Sequence, residues 1–294
     1  MNPFLEKLNA GQILVADGAT GTNLQKMGLQ PGIAPEDLIL DNPDLLLALS
    51  RSFVQAGSDI ILTCTFGGTR LRMKESRYID RVAEVNKRAV ALARQAAEER
   101  PGVMVAGSIG PSGQMLKPYG ALTPEEAREA FAEQAGALVE GGVDLLVIET
   151  MFALEEALLA FEAARAATPD LPIVVSFSYE KKGRTMMGVR PAQVMKTFAE
   201  MGAAMVGANC GASLEEMEAV VREYAAAQPG FPIWAKPNAG LPRVDENKQT
   251  VYDLLPEEMG QATLRNIEAG ARVVGGCCGT SPEHLAAIVR AVRG

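Results

Sequence analysis

Histidine is almost missing: the 294 residues include one, alongside one tryptophan and four cysteines, and aromatics make up 5%. A single histidine argues against hydrolysis through a His general base, because that chemistry relies on a positioned imidazole. Four cysteines in so long a chain do not resemble the disulfide framework of a small secreted protein. No apolar run approaches the roughly 18 residues that span a bilayer. The start, MNPFLEKLNAGQ, lacks the long apolar segment of a secretory signal. A cytoplasmic protein with reduced thiols is the expectation. Positive charge is also short: 28 Lys and Arg against 36 Asp and Glu give a net charge of −8. Nucleic-acid binding needs a concentrated basic patch, and the run Glu180-Lys181-Lys182-Gly183-Arg184 reads instead as a solvated hairpin tip.

Hydrophobic residues make up 48% of the chain, enough for one large core. Eight short apolar runs alternate with longer amphipathic stretches: 13–17, 59–65, 103–108, 144–150, 173–178, 204–210, 232–238 and 273–278. Most are continuous β-branched or apolar runs, as expected of parallel strands covered on both faces. Thr123-Pro124-Glu125-Glu126 and Ser281-Pro282-Glu283 look like helix N-caps followed by Pro at the first helical position. Leu255-Pro256-Glu257-Glu258 has the same form without a good cap residue. Eight β-then-α units without a composition break predict α/β architecture: a single (β/α)₈ TIM barrel over residues 1–294, as one domain. A doubly wound open sheet is the alternative, but the first turn, DGATGT at 17–22, does not fit its G-x-G-x-x-G fingerprint. The longest strand-to-helix excursions, 109–122, 179–190 and 239–255, fall on the rim where barrel loops build active sites.

On that scaffold Asp17, Thr65, Glu149, Cys210, Asn238 and the pair Cys277-Cys278 all end strands on one face. Strands six and eight have one strand between them, so Cys210 can approach Cys277 and Cys278. Three readings of GGCCGT (275–280) compete: a metal site, a disulfide, or packing. Reduced thiols weaken the disulfide, and a third thiol on the same rim favours the metal, with zinc the natural ion. Adjacent cysteines on a regular strand face opposite ways, so Gly275, Gly276 and Gly279 are expected to supply permissive backbone angles. Cys64 reads as an ordinary small core residue and His284 as a surface residue. Three thiolates leave a coordination position open, and a soft ligand set suits an incoming thiol, so thiol alkylation is the favoured chemistry. Asp17 and Glu149 suit a substrate ammonium, and the Gly18–Thr22 turn offers N–H groups to a carboxylate. The plainer alternatives are a turn-capping Asp17 and a structural ion pair at Glu149.

DGATGT, IET (148–150), ANCG (208–211), KPNAG (236–240) and GGCCGT together resemble the homocysteine S-methyltransferase family over essentially the whole chain. KPNAGLP is similar to the homocysteine-binding module of cobalamin-dependent methionine synthase. The resemblance implies a barrel in which Cys210, Cys277 and Cys278 hold zinc and the zinc binds homocysteine as a thiolate. It further implies that Asp17, Gly18 and Glu149 hold the amino-acid end, with Thr65 as a further match. Asn238 falls where an Asn side chain fills the fourth zinc position before substrate arrives. Full-length methionine synthases continue into folate, cobalamin and reactivation modules, and a cobalamin module carries D-x-H-x-x-G. The one histidine here lies in Pro282-Glu283-His284-Leu285-Ala286-Ala287, which does not match. Methylcobalamin is therefore expected on a separate corrinoid-carrying domain or protein, with S-methylmethionine or betaine as alternative donors. A noncatalytic barrel with structural zinc that binds a partner protein is the reading from another class.

Overall fold

The structure is a computed structural model and describes residues 2–30, 32–211, 213–245 and 250–294. Its strands in chain order are β1 (Leu14–Val15), β2 (Ile60–Leu62), β3 (Met104–Ile109), β4 (Leu145–Met151), β5 (Ile173–Phe177), β6 (Met205–Cys210), β7 (Ile233–Pro237), β8 (Arg243–Val244), β9 (Thr250–Val251) and β10 (Ala271–Val274). The first helices are α1 (Pro3–Asn9), α2 (Thr20–Lys26), α3 (Leu38–Asp41) and α4 (Pro43–Ala56). Then come α5 (Val82–Ala97), α6 (Pro124–Gly141), α7 (Leu154–Ala167), α8 (Pro191–Glu200), α9 (Leu214–Ala227), α10 (Pro256–Ala269) and α11 (Pro282–Arg293).

Eight strands form one parallel sheet in the order β1-β10-β7-β6-β5-β4-β3-β2. A parallel bridge between Ala16 and Ile60 joins its two ends. The fold is a single (β/α)₈ barrel. The small antiparallel pair β8-β9 sits in the connection between β7 and α10.

Two apolar clusters follow from strand alternation. Leu14, Ile60, Met104, Leu145, Val147, Val174, Met205, Trp234 and Val273 point inward and fill the barrel, while Phe4 from α1 closes its lower end. Their neighbours, such as Val15, Ile61, Val105, Leu146 and Val175, point outward against the helices. Thr123 caps α6 through reciprocal bonds with Glu126. Leu255 has no capping side chain, but its N–H donates to Glu258, which supplies half of that arrangement.

Three strands are shorter than expected. The 13–17 run stops at Val15 because Asp17 turns its carboxylate onto the Leu62 N–H, 2.7 Å away. The 59–65 run stops at Leu62, where the Thr63 and Thr65 hydroxyls pair at 2.6 Å and Thr65 donates to the Ser108 carbonyl. The 273–278 run stops at Val274 because the glycines after it approach neighbouring backbone too closely for a pleat with side chains. Cys277 and Cys278 therefore lie in a loop beyond β10.

Candidate metal centre

The inner face changes character at its upper layer. Continuing the inward register places Ser108 on β3, Glu149 on β4, Ser176 on β5, Asn209 on β6 and Lys236 on β7, all buried, with Asp17 just beyond β1. Lys236 Nζ lies 2.7 Å from Asp17 Oδ1, and both side chains are almost fully enclosed. The pair spans β10, where Gly275 continues the inward register of Val273 without a side chain. A Cβ there would lie 2.9 Å from the Ala16 carbonyl oxygen. Burial pulls the Lys236 ammonium down, but Asp17 and Glu149 outweigh it and hold it above the usual lysine range. Glu149 accepts from Ser108 Oγ at 2.5 Å through one oxygen. Burial pushes its carboxyl up to about 7, against the opposing attraction of Lys236.

Above this floor stand the thiols. Cys210, Cys277 and Cys278 have their sulfur atoms within 4.8 Å of one another, and none is in a disulfide. Cys210 reaches the cluster from a left-handed backbone conformation, φ 57°, at the end of β6. The adjacent pair is turned toward one point by a reversal over 277–280, in which the Thr280 N–H donates to the Cys277 carbonyl. Its third residue, Gly279, has φ 83°, the conformation such a turn assigns to glycine. Gly276 serves another end, because a Cβ there would sit 2.4 Å from the Thr280 side chain. Of the three glycines expected to bend the backbone, Gly279 does so, and the other two permit close approach.

The GGCCGT and DGATGT loops are laced together. Ala19 N–H and Asn23 Nδ2 donate to Thr280, and Gly279 N–H donates to Thr22. Gly18 fits because a Cβ would come within 2.8 Å of Leu285 Cδ2. Helix α2 begins at Thr20 without a side-chain cap, which leaves its first N–H groups without intrahelical partners.

Among the described residues, the three thiols are the one group of His, Cys, Asp and Glu side chains placed to hold a metal. Their fit to a soft ion is tested by what completes the set. Asn238 donates through Nδ2 to the Gly211 carbonyl at 3.3 Å, while its buried Oδ1 has no partner. An orphaned amide oxygen beside three thiols fits a fourth ligand of a tetrahedral zinc site. Hydrogen bonds from Cys210 and Cys277, joined by Tyr252, hold the Cys278 thiol far below its usual range. The Cys210 thiol is pushed well up by its bonds to the other two and by burial.

Several contributors carried no signal strong enough to single them out in the sequence. Asn209 accepts from the Thr150 N–H and Ser176 Oγ, donates to Thr150 Oγ1, and turns Nδ2 toward Cys210 and Cys277. It pins Thr150, which follows Glu149 in β4 with a φ of 62°, at the irregularity in register between Ile148 and Met151. Period-2 counting along β6 and β7 would have found both Asn209 and Lys236 as inward polar residues. Tyr252 is placed by the β7–α10 connection; residues 246–249 of the 239–255 excursion lie outside the described residues. Thr65 is fully buried, and its hydroxyl is occupied by the Ser108 carbonyl and the Thr63 hydroxyl. Cys64 packs beside the outer core, apart from the cluster. His284 is half-buried rather than on the surface: Nδ1 accepts from the Ser281 N–H, and Nε2 lies 2.8 Å from the Leu254 carbonyl, clasping the 239–255 excursion to α11.

Fold and site together define a (β/α)₈-barrel protein with a three-thiol centre and a buried acidic floor at its C-terminal mouth. The profile of the family described as Homocysteine S-methyltransferase matches residues 14–292. The chain belongs to that family. It is 31% identical over 304 aligned residues to the methionine synthase of Mycobacterium leprae (strain TN), covering 98% of this chain and 25% of that protein. With the methionine synthase of Mycobacterium tuberculosis (strain ATCC 25618 / H37Rv) it shares 31% over 296 residues, 96% of this chain and 25% of the relative. The chain thus spans about a quarter of the length of these curated relatives. The metallated form of the homocysteine methyltransferase MmuM from Escherichia coli superposes with a TM-score of 0.83 at 24% identity, over 98% of this chain and 99% of that one, a likeness of fold. No helix among the described residues is long and apolar enough to cross a membrane.

Proposed function

We propose that this chain is a zinc-dependent S-methyltransferase that converts homocysteine to methionine, with the methyl group delivered by methylcobalamin on a separate domain or protein. The observation that carries the reading is the three-thiol cluster, completed by the unpartnered Asn238 oxygen, directly above the acidic floor. Cys210, Cys277 and Cys278 would hold the ion, with Asn238 in the fourth place until substrate arrives. Zinc, when bound, supplies a Lewis acid that favours the thiolate form of homocysteine while leaving its sulfur nucleophilic. The chain's own groups fix the other end of the substrate. Asp17, Lys236 and an ionised Glu149 sum to one negative charge, which one substrate ammonium neutralises. The Ala19 N–H is taken by Thr280, so the first N–H groups of α2 would be the donors for the substrate carboxylate. Thr65 supports Ser108, which in turn orients Glu149. Holding both ends presents the sulfur to the methyl carbon along one line.

A second reading has its own observation. A cavity of about 320 Å³ at the mouth, lined by Phe66, Arg72, Thr150, Phe152, Glu180 and Met186 among others, has the size of a small-molecule site. S-methylmethionine or betaine would suit it. The test is X-ray absorption at the zinc edge with and without homocysteine, followed by methionine formation with each donor in turn. A new sulfur ligand at the metal, and loss of stoichiometric zinc in Cys277→Ala, are expected. A closed four-ligand site indifferent to homocysteine would instead indicate a structural zinc in a barrel that binds a partner protein.

A further inference from the structure

Homocysteine would bring a fourth sulfur to a centre that already holds three, Cys210, Cys277 and Cys278. A thiolate of the protein carries the same lone pairs as the thiolate of the substrate, and either can attack an electrophilic methyl carbon. Attack by a cysteine would form its sulfur–methyl bond as the bond from the methyl to its carrier breaks, the carrier keeping that electron pair. A neutral thioether would remain, and the centre would have lost a thiolate ligand.

The hydrogen-bond donors around the cluster are placed unevenly. Asn209 is fully buried, and its neighbours settle which way its amide points. It accepts from the Thr150 N–H at 2.9 Å and from Ser176 Oγ at 2.6 Å. A backbone N–H can only donate, so the amide oxygen lies on that side. The nitrogen gives one hydrogen to Thr150 Oγ1 at 2.7 Å and turns the other toward Cys210 Sγ at 3.6 Å and Cys277 Sγ at 3.8 Å. Cys278 is served by a different element, since the Tyr252 hydroxyl bonds its sulfur. The Tyr252 ring is seated on the Gly279 turn, where a Cβ would lie 2.3 Å from Tyr252 Cγ. Leu254 ties that segment down: its N–H donates to the Ala239 carbonyl, and its own carbonyl meets His284 Nε2 at 2.8 Å. The fourth position is different in kind. Asn238 leaves its Oδ1 there, an atom that carries no hydrogen, while Nδ2 is held by the Gly211 carbonyl. Each sulfur of the protein thus has a side-chain donor, and the incoming sulfur replaces an acceptor.

We propose that Asn209 and Tyr252 decide which sulfur is methylated, by holding the three protein thiolates with N–H and O–H donors and leaving the substrate sulfur without one. The proposal rests on the reading that homocysteine joins the three thiolates at the metal. A lone pair engaged by a donor is stabilised, and more so on a charged acceptor. That stabilisation is lost as the sulfur shares the pair with carbon, so a held sulfur attacks more slowly than a free one. Both side chains act through the sulfurs they hold, as positioning residues.

The test uses the zinc-loaded chain and methyl iodide, a donor that needs no binding site, with the methyl on each cysteine counted by peptide mass spectrometry. Tyr252→Phe keeps the ring on Gly279 and removes only the hydroxyl. Without homocysteine it is expected to speed methylation of Cys278 about tenfold, with Cys210 and Cys277 at the rate of the unmodified chain. Asn209→Ala is expected to speed Cys210 and Cys277 and to leave Cys278 unchanged. With homocysteine present, the unmodified chain should form methionine and keep its cysteines unmethylated, while each variant accumulates methyl on the sulfur it has uncovered. An unchanged rate at Cys278 in Tyr252→Phe overturns the proposal, as does a rise at all three cysteines alike, which marks a loosened site. If Asn209→Ala loses its zinc, Tyr252→Phe decides alone. X-ray absorption at the zinc edge of the unmodified chain separates the two readings. No sulfur gained from homocysteine fails both; a gained sulfur with cysteine methylation indifferent to the variants fails the donor assignment alone.

Discussion

Glu149→Gln tests the electrostatics of the floor through its effect on stability. Glu149 is 8% exposed, and burial is the largest influence that raises its carboxyl from 4.5 to about 7. A folded-state value above the unfolded one means that the native protein binds this proton more tightly. The stabilising contribution is complete below pH 4.5, declines as the pH rises to about 7, and is absent above. The gap corresponds to about 3 kcal/mol. Glutamine keeps an acceptor for the Ser108 hydroxyl without titrating. Urea unfolding of the zinc-free, reduced protein between about pH 4.5 and 8.5 provides the comparison. Wild type should lose about 3 kcal/mol relative to the variant across that range, most steeply near pH 6, with the two curves parallel above pH 8. Curves that stay parallel throughout would show that Glu149 is already ionised in the native protein, and the burial account of the floor would be wrong.

The Lys236–Asp17 pair is nearly solvent-free, so Lys236→Met should destabilise by about 3–5 kcal/mol by leaving a buried carboxylate uncompensated. Adding Asp17→Asn should recover part of that loss, which a double-mutant cycle by urea unfolding measures. Gly279→Ala meets both a φ of 83° and a Cβ 2.3 Å from Tyr252 Cγ. It should cost about 1–2 kcal/mol from the backbone alone and displace Tyr252 from Cys278. Gly136→Ala, inside α6 with open space at the Cβ, should instead stabilise by up to about 1 kcal/mol. Calorimetry on the two variants checks the contrast.

The barrel was legible because its signals are local. Runs such as DLLVIET and IVVSFS are hydrophobic without a break, which happens when both faces of a strand are covered. Thr123-Pro124-Glu125-Glu126 announced α6 because a capping box satisfies N–H groups within four residues. Strand ends were misjudged where long-range bonds decide them. Thr63 and Thr65 belong to a β-prone run, yet their hydroxyls bind each other and the β3 backbone, ending β2 early. Likewise GGCC continued an apolar pattern, and only the approach of β1 and Thr280 shows why it leaves the sheet.

The thiols were readable for a related reason. Two adjacent cysteines between glycines, with a third at another strand end, form a pattern of residue type and topology that needs no coordinates. Lys236 was different. Period-2 counting from Trp234 marks it as inward, but nothing local names its partner, a carboxylate 219 residues away. His284 gave the same lesson in reverse, since an early helix position suggests exposure until the 239–255 excursion folds over it. Periodicity and residue chemistry belong to the chain alone, so they set the barrel and nominated the thiol cluster. Desolvation and charge pairing belong to the packed interior. Only closure of the eight strands put Asp17, Glu149 and Lys236 together out of reach of water, where the floor's net charge and protonation are decided.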